Sequence, residues 1–125
     1  MTFDGGILFA TGKSELSQSA RANLAKFATS LNNNPNTNVQ IYGYTDSTGS
    51  MEANQRVSTA RASAVQTYLA NCGVSATRLY SQGIPMADYV ASNETAEGRA
   101  QNRRVEIYIS ANEEMIRQAE AGTLQ

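Results

Sequence analysis

The sequence predicts an α/β domain built in layers, and three observations carry that expectation. Short apolar runs of strand length alternate along the chain with longer runs of helical period. Each helical run has one apolar side, so each needs a second layer to cover it. A chain of 125 residues, 41% hydrophobic and 17% charged, suits one core rather than several.

Ile7-Leu8-Phe9-Ala10 is an uninterrupted apolar run and reads as a buried strand, after which Thr11-Gly12-Lys13-Ser14 turns the chain. Ser17 suits an N-cap, and Leu24, Phe27, Ala28 and Leu31 give the apolar stripe of a half-buried helix. The Asn-rich, Pro-containing cluster at 32–36 ends it. The next strand, Val39–Thr45, alternates Val39, Ile41 and Gly43 on one face with Gln40, Tyr42 and Tyr44 on the other. A loop, Asp46-Ser47-Thr48-Gly49-Ser50, leads into a long helix over roughly 51–71, with Gly73 at its C′ position. Leu79–Gly83 is a short strand and Ile84–Ser92 an irregular loop. A brief helix near 95–101 precedes the last strand, Arg103–Ile109, whose inward residues are Val105, Ile107 and Ile109. Residues 1–110 make one domain and 111–125 a tail. Gly5, Gly6 and Gly43 read as turn or close-packing glycines, since no phosphate-cradling motif surrounds them.

Composition removes several function classes. Ten Lys+Arg against eleven Asp+Glu leave a formal charge of −1, so neither nucleic acid nor an anionic membrane recommends itself as a partner. No apolar run reaches membrane-spanning length and the N-terminus is not signal-like, so the piece suits the soluble part of a larger exported protein. His is absent and Cys occurs once, at Cys72, which excludes Ser-His-Asp and Cys-His catalysis, Cys/His zinc sites and internal disulfides. Cys72 reads as a small packing residue near a helix end. No cofactor or metal is expected.

The long helix carries one anomaly. On a helical wheel with Asn54 at the origin, Val57, Ala64, Val65 and Tyr68 form the apolar stripe, and Glu52, Gln55, Arg56, Ser63, Gln66 and Thr67 the solvated side. Arg61 falls inside the stripe, with Asn54 and Ser58 on the same side. A guanidinium keeps its charge and needs oxygen partners. An internal salt bridge, or snorkelling to an edge, would satisfy it. A ligand would too. Asp46 closes a strand at its C-terminal end, where α/β sheets hold ligands, although a turn-capping role would also explain it. One fixed cation beside one fixed anion suits a zwitterion, with its carboxylate on Arg61 and its ammonium on Asp46.

These residues resemble a known family. Tyr44-Thr45-Asp46-Ser47-Thr48-Gly49, Asn54 eight residues after Asp46, and Arg61-Ala62 seven residues after Asn54 are similar to the OmpA-like C-terminal domain. So are Glu97-Gly98-Arg99-Ala100-Gln101-Asn102-Arg103-Arg104-Val105-Glu106 and the opening Ile7-Leu8-Phe9 with Lys13-Ser14 and Leu16. The resemblance spans about residues 5–110. It implies an α+β two-layer fold of order βαβαβ(α)β, with a mixed four-stranded sheet and helices mainly on one face. It also implies non-catalytic, non-covalent binding of peptidoglycan through the diaminopimelate residue of the stem peptide, anchoring a periplasmic domain of an outer-membrane or lipid-anchored protein. The Asp46 and Arg61 positions would grip the ammonium and carboxylate, with Asn54 as a hydrogen-bonding neighbour. Backbone groups of Phe9, Ala10 and Thr11 and one Arg of the Asn-Arg-Arg segment carry over too. Strand parity selects Arg103, which shares the inward side of Val105 and Ile107. Arg104 shares the outward side of Glu106, as a solvated pair. The sequence departs from the family pattern at Tyr44, where a His is usual, and at Ala10, where many members are acidic.

Two other functions compete. Asp46 with Asp88 or Glu94 could form a hydrolytic carboxylate pair, but nothing in their spacing brings them together. Tyr42, Tyr44 and Tyr108 on the outer sheet face would suit a homodimer surface.

Overall fold

The computed structural model describes residues 2–4 and 16–111. Strand β1 (Thr2–Asp4) comes first, then helix α1 (Gln18–Asn33) and strand β2 (Thr37–Tyr44). Helix α2 (Met51–Asn71), a 3-10 turn (Ala76–Arg78) and strand β3 (Leu79–Ile84) follow, and helix α3 (Ala96–Asn102) and strand β4 (Arg104–Ala111) complete the order. The mixed part of the sheet is β4-β2-β3. β2 runs parallel to β3, with Gly43 opposite Gly83, and antiparallel to β4, with Ile41 opposite Ile107. β1 pairs antiparallel with the outer edge of β4, so the sheet order is β1-β4-β2-β3. The strand expected at 7–10 and the tail beyond residue 111 lie outside the described residues, as do Gly5 and Gly6.

Local chemistry sets the helix ends where the sequence placed them. The Ser17 hydroxyl accepts from the Ala20 N–H at 3.2 Å and opens α1. Ser50 does the same for α2 through the Ala53 N–H at 3.1 Å. At the other end of α2, Gly73 takes φ +97° and donates to Ala70, while Val74 donates to Leu69, a full Schellman closure. Val74 and Leu69 are both buried, which adds the apolar contact that usually accompanies that motif. Cys72 packs half-buried against the core at this helix end.

The core is the layer between helices and sheet. Leu24, Ala28 and Leu31 of α1 meet Ala62, Val65 and Leu69 of α2 over Val39, Ile41, Val105 and Ile107. Fully burying one Leu or Ile is worth about 1.5–3 kcal/mol, so this layer supplies the main stabilising force. Helix α2 approaches the sheet unusually closely. A Cβ on Gly43 would lie 2.4 Å from the Ser58 carbonyl oxygen, and one on Gly83 would lie 2.5 Å from the Thr59 nitrogen. These paired glycines seat the middle of α2 directly on β2 and β3.

Several exposures differ from the sequence expectation. Val57 is exposed, and the buried stripe of α2 is Ser58, Arg61, Ala62, Val65 and Leu69. The glycine seat explains the shift, because it turns the small Ser58 rather than Val57 to the sheet. Gln66, expected in solvent, donates to the Leu79 carbonyl and accepts from the Ser81 hydroxyl. Ile109 keeps its inward parity opposite Val39 yet is 51% exposed, so parity placed its face without supplying cover. On the outer face the rings of Tyr80 and Tyr108 flank Tyr42 edge-on, with centroids 6.4 and 5.9 Å away.

Candidate functional site

The site lies where β2 ends and α2 begins. Asp46, two residues beyond β2, is buried, with 5% of its surface exposed. Its Oδ1 accepts from the Thr48 N–H at 2.8 Å, the Asx-turn role. Its Oδ2 receives Arg103 Nη1 at 2.5 Å in a salt bridge. Burial pushes the Asp46 carboxyl upward, but the Thr48 N–H and the Arg103 guanidinium outweigh it and hold the group below the usual carboxylate range. The turn-cap expectation for Asp46 is thus realised, and its cation in the structure is Arg103, a pairing not expected from the sequence.

Arg61 is buried on α2, as its place in the stripe required, and it feels both members of that pair. Burial and the like charge of Arg103 lower its pKa, while the Asp46 charge raises it. Among the described residues, one carboxylate and two guanidiniums therefore share one locality. Asn54 serves this site through the loop. Its Nδ2 donates to the Thr48 carbonyl at 2.7 Å and the Ser50 carbonyl at 2.9 Å, tying the turn to the first turns of α2.

Arg103 reaches the site by a route that differs from the expected one. It is the C-cap of α3 and lies just before β4, which starts at Arg104. Arg104 is not a solvated surface residue. It is 4% exposed, with Nε on Glu106 Oε2 at 2.5 Å and its guanidinium 3.9 Å over the Tyr44 ring. Its Nη2 also donates to the Asp88 carbonyl at 2.8 Å. The pairing with Glu106 was readable from parity. Burial was not, because the loop carrying Asp88 closes over this end of the sheet. Tyr44 is buried in the same stack, and its phenol is pushed up to about 12, first by burial and then by Glu106. Phe9, Ala10 and Thr11 lie outside the described residues.

A buried Asn completes the arrangement. Asn102 is fully enclosed, and its carboxamide uses all four of its hydrogen-bonding positions. Oδ1 accepts from Val90 and Ala91 N–H, while Nδ2 donates to the Ala91 carbonyl and to Asn93 Oδ1. Asn93 Oδ1 in turn accepts from the Ser47 N–H at 3.3 Å. The role of Asn102 was missed in the sequence. Its signals were its place in the family-like segment Glu97–Glu106 and an amide side chain between a helix and a strand.

A model of the OmpA family matches residues 8–103, most of the chain. This chain belongs to the OmpA family. Probable lipoprotein YiaD of Escherichia coli is 41% identical over 110 residues, covering 88% of this chain and 50% of its own length. Peptidoglycan-binding protein ArfA of Mycobacterium tuberculosis is 42% identical over 87 residues, covering 70% of this chain and 27% of its own. The chain thus spans about half the length of YiaD and about a quarter of ArfA. Among solved structures, the cell wall anchor of the type VI secretion system from Pseudomonas aeruginosa superposes with TM-score 0.78 at 31% identity. That match covers 90% of this chain and 80% of the other. Within the OmpA family assignment, the matched span contains Asp46, Asn54, Arg61 and Arg103.

Proposed function

We propose that this OmpA-family domain binds peptidoglycan non-covalently and without turnover, by gripping the diaminopimelate residue of the stem peptide. The observation that carries the reading is the placement of buried Asp46 against Arg103, with the buried Arg61 close enough to feel both charges. Diaminopimelate within a stem keeps a free ammonium and a free carboxylate on its far centre. The ammonium goes to Asp46 and the carboxylate to Arg61. Arg103, whose side chain is 43% exposed, is free to lean from Asp46 toward that carboxylate while still neutralising it. Asn54 acts through the loop it ties down rather than by touching ligand. Backbone groups of Phe9, Ala10 and Thr11 are proposed as further ligand contacts, as the family resemblance implies. The names of ArfA and of the type VI secretion anchor support the polymer, and the charge arrangement supports the residue on it. By the same reasoning the domain works in the periplasm, as part of an outer-membrane or lipid-anchored protein. Co-sedimentation with purified sacculi tests the reading. The domain should pellet with sacculi and leave their muropeptide composition unchanged. Release of fragments, or a domain that stays in the supernatant, would overturn it.

A further inference from the structure

The three residues Asn102, Arg103 and Arg104 form a brace around the Asp46 loop, each taking a different hold. Arg104 stacks on Tyr44, Arg103 pairs with Asp46, and Asn102 reaches the Ser47 N–H through Asn93. Consecutive residues on one segment thus hold residues 44, 46 and 47 on the other. These holds run antiparallel, as β4 and β2 do up to their last backbone pair, Gly43 with Val105. Arg104 with Tyr44 keeps that register, and the next two holds are displaced from it by one residue. The Arg104–Tyr44 hold is buried, the other two are partly open to solvent, and the Arg103–Asp46 hold is the one that meets the proposed ligand. We propose that Asn102 is a positioning residue, which through Asn93 fixes the Ser47 backbone and so sets the geometry in which Asp46 meets Arg103.

Three physical points carry this. Asn102 is fully enclosed with every donor and acceptor used, so its position is over-determined by the 90–93 segment. Asn93 is locked in turn, since its backbone carbonyl accepts from Arg99 Nη1 at 2.9 Å and its side-chain oxygen takes two donors. Ser47 is the residue after Asp46, so fixing its amide plane fixes the carbonyl end of Asp46 and limits where that carboxylate can swing. Held in place before ligand arrives, the loop does not have to be ordered on binding. A purely structural Asn102 would hold the 90–93 segment and leave Asp46 indifferent.

The inference rests on the proposed function only for its binding readout, so the test uses a second readout that needs no ligand. Asn102→Ala removes four buried hydrogen bonds and risks unfolding the domain. Asn93→Ala is therefore the working variant, because Asn93 is half-buried and water can replace it at Asn102. The Asp46 carboxyl is titrated by NMR in wild type and Asn93→Ala, and a diaminopimelate-containing stem peptide is titrated into both by calorimetry. In a folded Asn93→Ala domain the Asp46 titration should move up toward the ordinary carboxylate range. Affinity should fall about three- to tenfold, the effect of losing one hydrogen bond. An unmoved Asp46 titration in the folded variant overturns the positioning role. A moved titration with unchanged affinity upholds the brace and instead counts against Asp46 as a ligand contact.

Discussion

Asp46 is held by two neighbours, and each makes a separable claim. Asp46→Asn keeps the Thr48 contact but removes the charge facing Arg103, and Arg61→Ala removes the buried guanidinium. Breaking one partner of a desolvated charge pair costs about 2–5 kcal/mol, so each change should weaken binding to sacculi tens-fold or more. Circular dichroism should show the fold retained in both. An Arg61→Ala domain that unfolds without ligand would make Arg61 a structural cation. The depressed pKa of Asp46 gives a pH signature as well. A carboxyl whose folded pKa lies below its unfolded value stabilises the fold at neutral pH. That contribution is lost as pH falls from the ordinary carboxylate region, near 4, through the folded value. Urea unfolding should therefore show wild type and Asp46→Asn converging in stability on acidification, and a constant gap would contradict the assignment. At this scale the sequence was legible where charge conflicted with period: Arg61 stood out because a cation lay in an apolar stripe. Asn102 did not, because its four bonds join segments that no periodicity relates.

Among the elements, α2 decides the site, since it carries Asn54 and Arg61 and is seated by Gly43 and Gly83. A methyl group at Gly43 would meet backbone, not a flexible side-chain end, so the helix must lift. Gly43→Ala should cost about 2–3 kcal/mol, at the upper part of the usual range for overpacking, and should weaken ligand binding through the displaced Arg61. Chemical denaturation and sacculus binding measured on the same variant check both halves. Gly73→Ala, at φ +97° and far from the site, should cost about 1 kcal/mol and leave binding unchanged. The two glycines thus separate loss of stability from loss of site geometry. Caps and periods made α1, β2 and α2 readable to within a residue or two, since those signals are local. The seat of α2 was less readable. Its wheel favoured Val57, whereas the close approach of two glycines in different strands turned Ser58 inward. Ile109 shows the same boundary from the strand side, with its face correct and its cover absent.

For the whole molecule, two layers present one charged corner at the C-terminal ends of the parallel strands, where Asp46, Arg61 and Arg103 meet. Little of the net charge contributes to selectivity, since the formal total is only −1. Under the proposed function, discrimination falls to the corner itself. Diaminopimelate differs from lysine, at the same place in a stem peptide, by one carboxylate on the far centre. Lysine would satisfy Asp46 and leave Arg61 without a ligand anion. Sites built around a charged hydrogen bond to a ligand reject ligands that cannot make it. The most direct measurement is calorimetric titration of the domain with two stem peptides identical except for diaminopimelate or lysine. The diaminopimelate peptide should bind at least tenfold more tightly; equal affinities for the two would contradict the clamp.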